Sequence, residues 1–354
     1  MKTKKKVLFF IPKGIGGAQK ITILISSFLP KDLYDIRYII VGKKKEQDMT
    51  YLISNKSNID YINIINAWDF LTIKIINKLK KYKPDIVFSS LMYLNARVIA
   101  AAKIVGNIKI IIRNDNMLKI MRYDNLLLLK LLYKKADIII AQQEEMKHDL
   151  IHGLNLDKSK VIVRYNPADK NNIIENASLP SPYEDSQTIK YIWTGNLTPS
   201  GSKGQDILIK AFAILKKEIP NSHLYLLGSY DEKSAFFIKI KDFVIKHNLT
   251  DSIHFVGFQQ NPYPWIKNAD CFVLPSRVEG LPNALIDAMI LGKPVVATTC
   301  IPIISRMVRN GYNGYLVPVE DYELMANAMK KALHLKYFQM IYHPSTSENF
   351  IELF

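Results

Sequence analysis

Cysteine is scarce throughout this chain, and acid is scarce in one half of it. Of 354 residues only Cys271 and Cys300 are cysteines, too few for a disulfide framework, so a reducing compartment is expected. No run approaches the roughly 18 uncharged apolar residues that a membrane span needs. The basic start followed by Val7-Leu8-Phe9-Phe10-Ile11 imitates a signal peptide. The apolar run is too short, however, and Pro12-Lys13-Gly14 interrupts it, so a first β-strand is expected instead. Familiar catalytic signatures are missing too. There is no His-Glu-x-x-His, no Gly-x-Ser-x-Gly elbow, and no Asp-x-Asp pair in a loop suited to a divalent ion. His148 and His152, four apart with Glu145 nearby, read as a solvated helix face rather than a zinc site. No metal or cofactor is expected.

What is present is uneven. Residues 1–170 hold 31 basic and 15 acidic side chains and so carry the whole formal charge of +16, whereas residues 171–354 hold 17 of each. With 48% hydrophobic residues the chain is not disordered, and its length favours two domains over one core. A basic half points to an anionic partner: nucleic acid, anionic lipid headgroups or a phosphate-bearing substrate. Nucleic acid is disfavoured, because interleaved aromatics and reader motifs are lacking.

Short apolar runs alternate with amphipathic segments. In the first half, strands are expected at 5–11, 36–41, 59–65, 85–90, 108–112, 137–141 and 160–165. Helices are expected at 17–29, 69–82, 93–104, 118–134 and 142–152. Residues 171–187, rich in Asn, Pro and Ser, read as a linker. The pattern then restarts, with strands at 189–194, 223–228, 253–257, 270–274, 294–298 and 314–317. Helices follow at 204–217, 234–247, 283–291 and 321–334. This is an α/β chain of two doubly wound parallel halves, and ligands of such halves bind at the carboxyl ends of the strands. Two helices of the basic half, within 71–83 and 125–135, combine apolar residues with lysine. They read either as core helices with C-terminal lysines or as a surface for anionic membrane.

Three motifs carry chemistry. Gly14-Ile15-Gly16-Gly17-Ala18-Gln19 follows the first strand and opens a helix. It allows close backbone approach and offers helix N–H groups to an anion, yet it lacks the last glycine of the dinucleotide fingerprint. Thr194-Gly195-Asn196-Leu197, then Ser202-Lys203-Gly204, occupies the same place in the second half and brings a lysine to a helix start. The third motif spans 275–296, with Glu279-Gly280 in a loop, Asn283 as the expected N-cap, and Asp287 one turn into the helix. Two carboxylates eight apart can hold hydroxyls on two parts of one polyol ligand. Amides of Ala284 and Leu285 lie between them to hold an anion.

In this order and spacing the segments resemble glycosyltransferase family 4 (glycosyltransferase group 1), the retaining nucleotide-sugar transferases of GT-B fold, in which two Rossmann-like domains face one another across a cleft. The resemblance runs from about residue 5 to about 335. It joins Gly16-Gly17-Ala18-Gln19, the 194–212 block, Gly257-Phe258, the 275–296 loop, and Asn310 to Pro318. It implies an N-terminal acceptor-binding domain (1–170), a linker (171–187) and a nucleotide-sugar domain (188–335). The remaining segment, 336–354, would pack back toward the first domain.

Residue by residue, the resemblance implies that Glu279 binds hydroxyls of the donor sugar and Asp287 the ribose. Lys203 would neutralise the leaving diphosphate, and Gly257 and Phe258 would meet the base. Gly280, Leu281, Pro282, Asn283, Ala284 and Leu285 would cradle phosphate, with Gly16 and Gly17 closing over it. Asn196 stands where the family usually has Arg, Asp287 where it has Glu, and Arg113-Asn114-Asp115 where many members have His. These last three are aimed at the acceptor side of the cleft. The expected activity is transfer of a hexose or N-acetylhexosamine from a UDP-sugar to a lipid-linked or cell-surface glycan precursor. It would take place in the cytoplasm, at the inner face of the plasma membrane. The rival expectation is a catalytically weak, membrane-docked subunit that binds nucleotide-sugar.

Overall fold

The structure is a computed structural model that describes residues 3–43, 48–64, 71–118, 123–185, 187–335 and 340–354. The ends of three expected elements, at 65, at 69–70 and at 119–122, lie outside the described residues. The chain forms two compact units, Met1–Pro167 with Pro344–Phe354, and Ala168–His343.

The first unit runs β1 (Lys5–Pro12), α1 (Gly17–Ser27), β2 (Tyr34–Gly42), β3 (Ile59–Asn63), α2 (Leu71–Tyr82) and β4 (Ile86–Ser90). It continues with α3 (Met92–Val105), β5 (Lys109–Arg113), α4 (Tyr123–Tyr133), β6 (Ile138–Ala141), α5 (Glu144–Leu154) and β7 (Val161–Val163). The strands form one parallel sheet in the order β3-β2-β1-β4-β5-β6-β7. Alternate residues of β1 serve opposite faces. Leu8 and Phe10 join the core under α2 to α5, whereas Val7, Phe9 and Ile11 join the core under α1. A strand covered on both faces needs the continuous apolar run that its sequence shows. Strand order reverses between β1 and β4, so the loops leaving those two strands diverge at one point of the carboxyl edge. The loop after β4 is strained, since Leu91 has φ +79°, a region that β-carbons disfavour.

The second unit opens with α6 (Lys170–Asn176) and runs through β8 (Ile189–Thr194), α7 (Gln205–Glu218), β9 (Ser222–Leu227), α8 (Ala235–Lys246), β10 (Ile253–Gly257) and α9 (Tyr263–Lys267). Then come β11 (Cys271–Leu274), α10 (Asn283–Ile290), β12 (Val295–Thr298), α11 (Pro302–Met307), β13 (Gly314–Val317) and α12 (Tyr322–Ala332). Its parallel sheet has the order β10-β9-β8-β11-β12-β13, with the reversal between β8 and β11.

Some of the segment expected as linker is helical. The Asp169 carboxylate caps α6 through the Asn172 N–H at 3.0 Å, and Ile173 is buried beside Ala177 and Tyr263. One cap and one buried isoleucine order a stretch whose composition shows no period. The short helices α9 and α11, which no periodicity reveals, each carry a proline in the first turn, where its missing N–H costs nothing.

Of the last segment, 336–354, residues 336–339 lie outside the described residues, and Pro344–Phe354 belongs to the first unit. Helix α13 (Ser347–Ile351) brings Phe350, Leu353 and Phe354 into the core around Phe9 and Phe88. Lys5 and Lys109 donate to the carbonyl oxygens of Phe354 and Leu353, at 3.0 and 2.7 Å.

Candidate active site

At the carboxyl edge of the second sheet, the loops after β8 and β11 are stitched together. The backbone N–H groups of Arg277 and Val278 both donate to the Ser202 carbonyl, at 2.8 and 3.3 Å. Gly204 makes the crossing possible. It sits at φ +69° as the N-cap of α7, and a β-carbon there would lie 1.9 Å from the Pro275 carbonyl oxygen. Gly228, at the end of the neighbouring β9, permits a similar approach, since a β-carbon there would lie 1.7 Å from the Gly195 oxygen.

This close approach sets Lys203 against Glu279. The Lys203 ammonium donates to both carboxylate oxygens at 2.8 Å. Ser276 Oγ donates to Oε1 at 2.7 Å, and Thr298 Oγ1 holds the Ser276 carbonyl. Glu279 is only 8% exposed, so its charge is held by three hydrogen bonds in a site with little water. Arg277 fastens the frame. It forks onto Asp206 at 2.7 and 2.9 Å, pairs with Glu320, and donates to the Gly201 carbonyl at 2.6 Å. Those bonds, first to Asp206, push its guanidinium further into the charged range. The nearby Cys300 thiol is pushed up to about 11, by burial first and then by the Glu279 charge, and is therefore no nucleophile.

The segment 280–285, expected to cradle phosphate, leads into α10. Its N-cap is Pro282, and Asn283, expected as the cap, is the first helical residue. A proline at the boundary supplies the φ that the turn requires. The Leu285 N–H closes on the Pro282 carbonyl at 3.1 Å. The Ala284 N–H, on the second helical residue, has no intrahelical acceptor by its position. Gly280, Leu281 and Pro282 are buried, and Asp287 is 8% exposed on the same helix. The Asn196 Oδ1 accepts from the Ser229 N–H at 3.3 Å, so this side chain pins its own loop. Gly257, at φ +79°, ends β10, and Phe258 beside it is exposed.

The remaining residues singled out from the sequence lie in the first unit. Gly16 is the N-cap of α1 and Gly17 its first residue. The Gln19 side chain folds back on this loop, donating to the Lys13 carbonyl at 3.4 Å. At the end of β5, Arg113 is 1% exposed. It donates to Ser90 Oγ at 3.1 Å and to Asn166 Oδ1, with no salt bridge among the described residues. Burial lowers its pKa to about 10, and Asp115 partly opposes the shift. Burial raises the Asp115 carboxyl, against the pull of Arg113. Asn114 accepts from Tyr133 at 3.0 Å through its side chain, and from Gln142 at 2.9 Å through its carbonyl. Asn95 donates to the Arg113 carbonyl and to Tyr133, at 3.0 and 3.2 Å.

Sequence reasoning missed Ser276, Arg277, Asn95, Tyr133 and Gln142. Asn95 had a readable signal, an amide amid the apolar residues of α3. Among the described residues no cluster of three or more His, Cys, Asp or Glu is poised for a metal ion, and no helix is long and apolar enough to cross a membrane.

The pattern described as glycosyltransferase family 4 matches residues 15–172, and that described as glycosyl transferases group 1 matches residues 188–334. An uncharacterized glycosyltransferase of Methanocaldococcus jannaschii is 33% identical over 65% of this chain, a match spanning 59% of that relative's length. The Campylobacter jejuni N-acetylgalactosamine-N,N'-diacetylbacillosaminyl-diphospho-undecaprenol 4-alpha-N-acetylgalactosaminyltransferase is 24% identical, with 93% of this chain and 90% of that one covered. The crystal structure of Anabaena HepE with UDP and glucose superposes with a TM-score of 0.76 at 19% identity, over 93% of this chain and 90% of that one. That likeness is one of fold, the GT-B class of two Rossmann-like units.

Proposed function

Because the chain belongs to the family 4, group 1 glycosyltransferases, we propose that it moves a hexose or N-acetylhexosamine, with retention, from a UDP-sugar to a lipid-linked glycan precursor at the cytosolic membrane face. The observation that carries this reading is the Lys203–Glu279–Ser276 cluster at the strand reversal of the second unit. The work of such an enzyme is to stabilise a departing nucleoside diphosphate. Lys203 supplies a fixed positive charge, and the N-terminus of α10 adds backbone donors. When the donor binds, Lys203 turns toward phosphate and Glu279 accepts from sugar hydroxyls. Asp287 lies one turn further along α10 for the ribose, and Gly257 and Phe258 flank the base. In the first unit, Arg113, Asn114 and Asp115 are read as acceptor-side residues that act by ordering the carboxyl edge, since Arg113 and Asn114 are buried, and Gly16 and Gly17 as a phosphate-facing loop. Neither Glu279, tied to two donors, nor Cys300, with its raised pKa, suits a covalent intermediate. The acceptor hydroxyl therefore attacks on the leaving-group face and gives its proton to a phosphate oxygen. Lys203 does the work a divalent ion does in metal-dependent transferases, so no metal is needed.

The acceptor class follows relatives in this family whose names refer to lipopolysaccharide, capsule and undecaprenyl-diphosphate substrates. One observation favours a second reading, a weakly active subunit that binds nucleotide-sugar. Asn196, where the family has Arg, brings no cation and pins its own loop. The test is UDP release from UDP-hexoses and UDP-N-acetylhexosamines with polyprenyl-diphosphate-linked acceptors, with and without chelator. The expected result is release that is insensitive to chelator, lost in Glu279→Ala, and accompanied by a product of unchanged anomeric configuration. Saturable UDP-sugar binding without release would establish the second reading instead.

A further inference from the structure

Helices α2, α3 and α4 pack side by side over the first sheet. Each shows large apolar side chains to solvent, Ile73 on α2 and Ile104 on α3 among them, and the densest patch is on α4. Leu127, Leu128 and Leu131 are 68, 53 and 59% exposed, while Leu129 and Tyr133 on the opposite side are buried. Three leucines spaced i, i+1 and i+4 occupy one side of a helix and form a contiguous apolar surface that no described residue covers. Cations frame it. Lys130, Lys134 and Lys135 are exposed around the leucines, and residues 126–136 contain no acid. Helices α2 and α3 contain six Lys or Arg and likewise no acid.

We propose that this face docks on an anionic bilayer, with Leu127, Leu128 and Leu131 entering the acyl boundary and Lys130, Lys134 and Lys135 at the depth of the lipid phosphates. The proposal deepens the reading of a lipid-linked acceptor and rests on it for its purpose. An apolar patch ringed by cations complements a surface that is anionic at the rim and apolar below. A second copy of the chain is a poorer occupant, since a two-fold contact here would bring Lys130, Lys134 and Lys135 of both copies together, with Asp124 the single acid of α4.

The experiment is sedimentation of the full-length protein with phosphatidylcholine vesicles, with and without phosphatidylglycerol. Binding is expected on the mixed vesicles and much weaker binding on the neutral ones. The triple variant Leu127→Gln, Leu128→Gln, Leu131→Gln should lose affinity about tenfold or more. The pair Lys130→Glu, Lys134→Glu should lose at least about fivefold per lysine on mixed vesicles. Thermal melting and UDP release on a soluble acceptor should stay at wild-type values in both, since none of these residues touches the candidate site. Equal binding of wild type to both vesicles, or undiminished binding of the triple variant, would overturn the proposal. So would a concentration-dependent dimer that the triple variant turns into monomer. Vesicle binding by a protein that releases no UDP would sustain the docking face while removing the proposed activity, which keeps the two failures apart.

Discussion

At the carboxyl edge of the second sheet, a lysine and a glutamate meet in a half-open site. At the same edge of the first sheet, an arginine is buried to 1% exposure among neutral acceptors. The second place is the strand reversal between β8 and β11, and the first is the end of β5, one strand beyond the β1–β4 reversal, yet the charge has different freedom in each. Lys203 keeps a third of its side chain in solvent, so it can turn to another anion, provided that the ligand's own donors replace it on the buried Glu279. Arg113 is held by Ser90 and Asn166, and its own carbonyl by Asn95, so moving it would strand several buried polar groups. The first edge is built to stay, and the second to respond. The first prediction attacks that contrast where the effect is largest. Lys203→Ala should lower kcat about 10²- to 10³-fold, the usual effect of removing one donor to a developing charge, with a smaller change in donor affinity. Steady-state kinetics alongside donor titration check this, and equal kcat in mutant and wild type would remove Lys203 from the leaving-group role.

Arg113→Met sharpens the other side of the comparison. It removes the guanidinium but leaves Ser90 Oγ and Asn166 Oδ1 buried with fewer partners, so a loss of about 2–4 kcal/mol in folding stability is expected. Denaturant unfolding measures it. A variant as stable as wild type, yet with raised acceptor KM, would show that the first edge responds as well and would dissolve the contrast.

Gly204→Ala probes the crossing that brings the two loops of the second edge together. A β-carbon 1.9 Å from the Pro275 carbonyl oxygen cannot be accommodated by a side-chain shift, and φ +69° adds strain. A destabilisation of about 1–3 kcal/mol is expected, together with a fall in kcat as Lys203 and Glu279 separate. Loss of stability with unchanged kcat would show that the ion pair is set by its own attraction rather than by the loop crossing.

How much of this was legible beforehand differs between the same two regions. The second edge was readable because its candidate residues lie in two short segments, 194–204 and 275–287, each placed by a strand before it and a helix after it. The partners Ser276 and Arg277 lie inside the 275–296 motif, but nothing local distinguishes a serine that holds a glutamate from one that caps a turn. The first edge was readable only at Arg113-Asn114-Asp115. Its other members, Ser90, Asn95, Tyr133, Gln142 and Asn166, come from separate strands, helices and loops, and only the sheet order brings them together. Helix α6 escaped for a related reason: its stabilisation comes from a cap and from Tyr263, far along the chain. Periodicity found most of the sheets because strands covered on both faces are uninterrupted apolar runs.

The smallest expected effect concerns pH, and it too separates the units. On adjacent strands of the second sheet, His223 Nδ1 and His254 Nε2 lie 2.8 Å apart, with the rings stacked and Tyr225 against His254. One ring must donate and the other accept, so the contact holds while at most one is protonated. Both pKa values are lowered. Burial is the main cause in each, with Lys216 repelling a charge on His223 and His223 repelling one on His254, while Asp185 and Asp251 pull weakly the other way. A folded-state pKa below the unfolded value of about 6.5 means that the unfolded chain binds more protons near that pH. The stability from this pair is therefore fully present above about pH 6.5 and is lost as pH falls through the lowered folded values. Thermal melts of the full-length protein at successive pH values should show the transition of the second unit moving down by a few degrees in that window. His254→Phe keeps a ring against Tyr225 and removes one titrating group, so it should flatten the shift. An identical slope in the variant would assign the acid sensitivity to another region of the molecule.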